Sequence, residues 1–155
     1  MMRAPTFRFL YRETEGAIGP GLWARASAWP VGIALAMTAL AWALAPGPRD
    51  LGSQPFFSLS ILAVHAYFIV YGFALFVLAV AQYFVSAKRY KDLGKSPAWA
   101  GLAPFCLLLA GAAAWFQPRS EGAMPAVAVY PFLALAVAVV VWNVAELGFA
   151  RGKSE

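Results

Sequence analysis

The sequence has little from which a disulfide, a metal centre or a soluble surface could be built. Cysteine and histidine each occur once, as Cys106 and His65. One cysteine cannot form an intramolecular disulfide, and one Cys with one His cannot supply the four ligands of a structural zinc site. We therefore expect no metal or other cofactor. Because Cys106 lies within an apolar run, we predict that it is a small buried residue.

Charge is also scarce. Charged residues make up 12% of the 155 residues, against about 25% in soluble proteins, whereas apolar residues reach 62%. A soluble chain of this size could not bury so much apolar surface, so lipid is the expected solvent. Four apolar segments are long enough to span a bilayer, at about 29–45, 57–86, 97–116 and 125–149. The sequence predicts a single all-α integral membrane domain, a four-span transmembrane helical bundle.

The segment before the first span mixes aromatic and basic residues, in the run Phe7-Arg8-Phe9-Leu10-Tyr11-Arg12. Such a segment can lie at the headgroup level, with its rings in the interface and its guanidinium groups on phosphates. We interpret it as an N-terminal interfacial segment. Pro20 is predicted to be the first residue of a short amphipathic helix that leads into the span. Four tryptophans lie near the ends of the first and third spans, as interface anchors do: Trp29, Trp42, Trp99 and Trp115.

The run from Lys88 to Trp99 is the only dense group of charges between two apolar segments. Gly94 is placed to stop a helix, because glycine tolerates a left-handed backbone. Ser96 can then cap the following helix, and Pro97 can occupy its first turn. These signals predict a helix–turn–helix hairpin between the second and third spans.

The distribution of basic residues predicts an orientation. Ten of the twelve Lys and Arg lie before the first span, in the central turn or after the fourth span. Basic residues are retained in the cytoplasm, so both termini and the central turn are expected there. An even number of spans satisfies this arrangement, and four are found. We therefore expect a multi-pass protein of a bacterial cytoplasmic (inner) membrane.

The central turn resembles a motif of small bacterial inner-membrane proteins grouped as domain of unknown function number 805, which is close to R-L-H-D-x-G-x-S-G-W-W. In this chain Arg89, Asp92, Gly94, Ser96 and Trp99 keep that spacing. The family's histidine is replaced by Lys91, and its first Gly-Trp pair is replaced by Pro97-Ala98. The resemblance implies the four-span fold and the inner-membrane location. It implies no settled activity.

Several polar residues are expected near the cytoplasmic interface. Asn143 and Glu146 share one helical face, and Glu146 could form an ion pair with Arg89 or Lys88. Two hypotheses follow: a polar clamp that locks the inner end of the bundle, or a site for anionic lipid headgroups or another anion. The candidate cluster comprises Lys88, Arg89, Lys91, Asp92, Lys95, Asn143 and Glu146.

A second candidate site lies within the second span. His65 and Gln82 are polar residues at membrane depth, where an ionisable side chain is a functional candidate by default. Packing, a proton relay or a substrate contact, and haem ligation are the alternatives for His65. In the third span, Ala110 and Ala114 have the small-xxx-small spacing that lets helices approach closely.

No Ser, His and carboxylate recur in a catalytic pattern, and no glycine-rich phosphate loop follows a strand, so we do not expect an enzyme. The leading hypothesis is a structural or accessory membrane protein that acts by helix packing, either with itself as a homo-oligomer or within a larger complex. One alternative is a small channel or transporter with His65, Gln82 and Asn143 on a polar path. Another is a lipid-interacting enzyme that uses the basic turn. The expected partners are the lipid bilayer and anionic headgroups, and not nucleic acid.

Overall fold

The computed structural model describes residues 6–44, 59–120 and 122–153, and these ranges contain helices and no strand. The helices are α1 (Phe7–Tyr11), α2 (Pro20–Leu44), α3 (Leu59–Asp92), α4 (Leu102–Phe116) and α5 (Tyr130–Phe149). Short 3₁₀ segments, Pro97–Gly101 and Ala126–Val129, lead directly into α4 and α5. Four of the described segments are long and apolar enough to cross a membrane, which confirms the predicted all-α, four-span architecture.

Helix α2 is longer than predicted, because the lead-in at Pro20 and the apolar span form one continuous helix. Pro20 is its first residue, as predicted. Pro30 lies inside the helix, where it has no N–H to bond the carbonyl of Ala26. The hydroxyl of Tyr11 donates to that carbonyl over 2.8 Å and replaces the missing bond. A side chain from α1 therefore supports the continuation of α2 through its proline.

Helix α3 also continues past its predicted end, by six residues, from 86 to Asp92. The predicted start at 57 lies outside the described residues. The helix ends as the sequence predicts: Gly94 has φ +72°, the Lys95 N–H donates to Tyr90 O over 2.9 Å, and the Gly94 N–H donates to Lys91 O over 3.0 Å. This is a Schellman stop. At 34 residues, α3 is about 51 Å long, well beyond the ~30 Å hydrocarbon core.

The start of the next segment also agrees with the prediction. The Ser96 hydroxyl accepts a hydrogen bond from the Ala98 N–H over 3.3 Å, and Pro97 is the first residue of the 3₁₀ segment. The tight turn between the second and third spans is therefore confirmed. Its basic residues lie mostly on the last turns of α3, however, and not in a solvated loop.

The helices are arranged as two antiparallel pairs, α2 with α3 and α4 with α5. The pairs meet at the basic end: the Trp23 ring lies against Gly148 of α5, and the Tyr83 ring lies against Gly101. The main apolar core is also at this end. Its buried members are Ile18, Trp23, Ala26, Val85, Ala87, Tyr90, Ala100 and Leu147. Away from it, most of each span faces outward, as expected of helices in lipid.

A smaller core joins α4 to α5. Its buried residues are Cys106, Ala110 and Ala136, with Leu102 and Val139 packed around them. The prediction that Cys106 is a small buried residue is confirmed. The predicted pair of small residues is only half right, because Ala110 is buried whereas Ala114 is exposed. Cys106 and Ala110, four residues apart, form the seam instead.

Candidate functional site

The basic end of α3 contains charged side chains that are shielded from solvent. Lys88 and Arg89 are 0% exposed and Asp92 is 2% exposed. A buried charge destabilises a protein strongly unless it is paired and hydrogen-bonded. We call the set Lys88, Arg89, Lys91 and Asp92 the clasp, because each member binds another part of the chain.

Arg89 joins α3 to the end of α5. Its Nε donates to the carbonyl of Leu147 over 3.0 Å, and its Nη2 donates to the carbonyl of Ala150 over 2.5 Å. The last carbonyls of a helix have no partner within the helix and carry a partial negative charge, so a guanidinium group is a suitable cap. The remaining Nη1 forms an ion pair with Asp92, one turn further along α3. The hydrogen bonds of Arg89 thus fasten the end of α5, while its ion pair with Asp92 lies within α3.

The residues after α5 cover this ion pair. The Lys153 N–H donates to the backbone carbonyl of Asp92 over 3.1 Å. Gly152 lies directly on the pair, and a Cβ atom there would overlap the Asp92 carboxylate and lie 2.5 Å from Arg89 Nη1. Only glycine fits at this position without displacing the buried charges.

The two lysines of the clasp hold the N-terminal strap, which we define as residues 6–19. Lys88 Nζ donates to the carbonyls of Leu10, over 3.2 Å, and of Glu13. It also lies 5.2 Å from the centre of the Phe9 ring, within the range of a cation–π contact. Lys91 Nζ donates to the carbonyl of Thr14 over 2.5 Å. Carbonyls take the place of water around the buried Lys88 ammonium group, whereas Lys91 remains partly exposed.

The strap is fastened to α2 as well, through the Tyr11–Ala26 hydrogen bond. Burial raises the pKa of the Tyr11 hydroxyl, so this group remains a donor at neutral pH. The strap is therefore hydrogen-bonded to both helices of the first pair, through a backbone carbonyl on α2 and two lysines on α3.

Glu146 forms its ion pair with a different partner from those predicted. Its Oε1 lies 2.5 Å from Lys95 Nζ, where Arg89 or Lys88 was expected. The reason is geometric, since both predicted partners point into the clasp whereas Lys95 follows the helix stop. Nearby, Asn143 Nδ2 donates to the hydroxyl of Tyr90 over 3.2 Å. The structure therefore brings the predicted cluster to one end, with an ion pair on its rim and a clasp inside.

This arrangement changes the headgroup hypothesis. Lys88 and Arg89 are buried, and Lys95 is paired with Glu146, so these three cations do not offer a free surface to a phosphate. The other basic side chains that are exposed at this end belong to other segments. They are Arg8, Arg12, Arg25, Arg151 and Lys153.

The second candidate site is not assembled. His65 is exposed on α3, 17 residues before Gln82, which corresponds to about 25 Å along the helix. Gln82 Nε2 donates to the hydroxyls of Ser27, over 3.0 Å, and of Ser86, over 3.2 Å. Asn143 belongs to the cluster at Tyr90. The three residues proposed for a polar path thus lie in three different surroundings.

Among the described residues there is no group of three or more His, Cys, Asp or Glu that could hold a metal ion. No family model, curated protein or solved structure matches the chain.

Sequence reasoning missed two features of the site, the attachment of the strap to α2 and α3 and the role of Gly152. The strap had a signal, since Pro30 inside an apolar span predicts an unpaired carbonyl four residues earlier, and a hydroxyl near the interface could satisfy it. Gly152 had none, because its role depends on a contact with α3 that is 60 residues away in sequence.

Proposed function

We propose that the protein is a structural or accessory protein of a bacterial inner membrane, which acts by packing its spans against further transmembrane helices. One observation carries this proposal: the charged groups that were candidates for chemistry bind the chain itself. Arg89 fastens α5 and pairs with Asp92, and Lys88 and Lys91 fasten the strap. These charged groups hold one end of the molecule together, and the outer faces of the spans remain free to pack against other helices.

The outer faces are extended and apolar. On α3 the exposed side chains include Leu62, Ile69, Val70, Phe73 and Phe76. In lipid there is no hydrophobic effect to bring helices together, so association depends on close packing and shape. A molecule whose two helix pairs are fastened at one end offers long faces of this kind on each pair. This geometry supports packing with a second copy or with the subunits of a larger complex.

The experiment is a pull-down in mild detergent followed by native mass spectrometry. We expect a stoichiometric complex, either with another membrane protein or with a second copy. A protein that is recovered alone and monomeric, from membranes solubilised without harsh detergent, would contradict the proposal.

The orientation is part of the proposal, with the fastened end in the cytoplasm. The strap, the end of α3 and the end of α5 touch one another, which supports placing these basic segments on one side. Exposed Ala98 and Ala123 lie at opposite ends of α4 and suit a labelling test. In a Cys106→Ala background, Ala123→Cys should react with an impermeant maleimide on intact cells, and Ala98→Cys only after permeabilisation. The reverse pattern would invert the orientation.

Membership of the domain of unknown function 805 family is likewise a proposal. The spacing of Arg89, Asp92, Gly94 and Ser96 supports it, since each of these residues has a defined task in the structure: ion pair, helix stop or cap. Lys91, which replaces the family's histidine, binds the strap through an ammonium group. The position therefore needs a long donor here and not an acid–base group.

A further inference from the structure

The strap and α3 enclose an apolar groove on the outside of the molecule. Its walls are Phe7 and Tyr11 on one side and Phe76, Val77, Val80 and Ala81 on the other, with Arg12 at its edge. Its volume is about 270 Å³. This is slightly less than the ~300–1,000 Å³ of pockets that hold a whole drug-sized molecule. The groove has room for part of a flexible chain.

The wall formed by α1 is fixed in place. Tyr11 is hydrogen-bonded to Ala26, its ring lies 4.8 Å from that of Phe7, and the carbonyl of Leu10 is held by Lys88. These contacts therefore hold the α1 wall of the groove in position. The opposite wall belongs to a membrane-spanning helix, and Phe76 and Val77 are exposed on it.

The depth of the groove corresponds to the membrane interface. Val80 lies eight residues before Lys88, or about 12 Å along α3, and Phe76 lies about 18 Å before it. In the proposed orientation the apolar wall faces the hydrocarbon, and the charged edge is nearer to the headgroups.

Arg12 supplies charge complementarity for an anion. It is exposed, and among the described residues it has no ion pair. The adjacent acid, Glu13, is paired with Arg8 over 3.2 Å and does not neutralise it. A guanidinium group suits a phosphate, which it can bind with two parallel hydrogen bonds.

We propose that this groove binds one anionic phospholipid, with an acyl chain against Phe76, Val77 and Val80 and the phosphate on Arg12. The lipid lies between the strap and α3 and extends the apolar surface of the first helix pair. The inference goes beyond the proposed function and shares with it only the membrane location. It needs no partner protein, so loss of lipid preference with the partner retained would refute this site alone.

The test is lipid titration of delipidated protein in mild detergent, followed by native mass spectrometry. Phosphatidylglycerol and phosphatidylcholine with identical acyl chains are the probes. We expect one phosphatidylglycerol to bind about fivefold more tightly than phosphatidylcholine, the factor that corresponds to one basic residue near a membrane surface. Arg12→Gln should remove this preference. The matched control is Arg25→Gln, an exposed cation on α2 that should leave it unchanged.

A second pair of variants tests the acyl wall. Val80→Trp fills the groove, and we expect it to weaken binding of both lipids about tenfold, whereas Val70→Trp, at an exposed position of α3 outside the groove, should change neither. Val77→Trp repeats the test if Val80→Trp is poorly expressed. Equal binding of the two lipids by the natural protein, a preference that persists in Arg12→Gln, or full affinity in both groove-filling variants would each overturn the proposal.

Discussion

The clasp and the α4–α5 seam join helices by opposite means. The clasp uses charged side chains that reach across to backbone carbonyls, and it works at the basic end of α3. The seam uses Cys106, Ala110 and Ala136, which have almost no side chain to contribute and let the helix backbones approach. The clasp depends on each charged side chain keeping its hydrogen-bond or ion-pair partner, and the seam depends on the side chains between the helices staying small. The same chain should therefore respond very differently to removal and to addition of atoms in its two regions.

The largest effect is expected from Asp92→Ala, which leaves the Arg89 guanidinium buried without its carboxylate. Breaking one side of a buried ion pair costs about 3–5 kcal/mol. The free energy of unfolding, measured by denaturant titration in micelles, should fall by that amount. Glu15→Ala is the control, because it removes an exposed acid from the strap. Equal losses in the two variants would show that burial of the pair is unimportant.

Gly152→Ala should be the next most damaging change, and it adds a single methyl group. The new Cβ overlaps the Asp92 carboxylate, so the tail or the ion pair must move, at about 2–3 kcal/mol, the upper part of the range for overpacking. Gly111→Ala is the matched control, because nothing lies within 4 Å of a Cβ there. Thermal unfolding of the two variants should differ clearly. A stable Gly152→Ala protein would mean that the tail does not rest on the clasp.

In the seam, Ala110→Leu should destabilise the α4–α5 pair by about 1–3 kcal/mol, because the added side chain has no space between the helices. Ala114→Leu, one turn away on the exposed face, should change stability by less than about 0.5 kcal/mol. The measurement is again unfolding in micelles. If Ala114→Leu proved the more harmful, α4 would present a different face to α5 from the one described.

Tyr11→Phe should cost about 1 kcal/mol, since the Ala26 carbonyl loses the hydroxyl that replaces a helical N–H. Pro30→Ala restores an N–H at that point, and in this background the loss of the Tyr11 hydroxyl should have almost no effect. A double-mutant cycle measures the coupling directly. If the two changes had additive effects on the free energy of unfolding, the Tyr11 hydroxyl and Pro30 would not be coupled.

The smallest effect is expected from Glu146→Ala. Its ion pair with Lys95 is partly exposed, and such pairs contribute about 0–1 kcal/mol. The same denaturant titration of Asp92→Ala compares the loss of free energy of unfolding at the rim of the cluster with the loss in its interior. A loss as large as that of Asp92→Ala would place Glu146 inside the clasp.

Much of the fold could be predicted from the sequence. Apolar length identified the spans, and Gly94, Ser96 and Pro97 identified the turn, because helix stops and caps depend on neighbouring residues alone. The burial of Lys88 and Arg89 could not be predicted in the same way. A run of charge normally indicates a solvated loop, and here its environment is set by the strap and by the end of α5, segments about 75 residues before and 60 residues after it.

The continuity of α2 from Pro20 to Leu44 was not predicted, for a related reason. The first span is predicted to begin near residue 29, beside Pro30, since proline removes a helical hydrogen bond wherever it lies. Only the position of Tyr11 explains why the helix passes through it. In each case the missing information was the identity of a distant group that satisfies a polar atom.

The geometry of Arg89 has a consequence for biogenesis. Translation produces the strap and both helices of the first pair before α5, so Lys88 can meet its carbonyls early, whereas Arg89 must wait for Leu147 and Ala150. Until then an arginine and an aspartate stand uncovered beside the membrane. Insertion of the second pair thus covers the Arg89–Asp92 ion pair, which stays open to solvent in a chain that is arrested before α5.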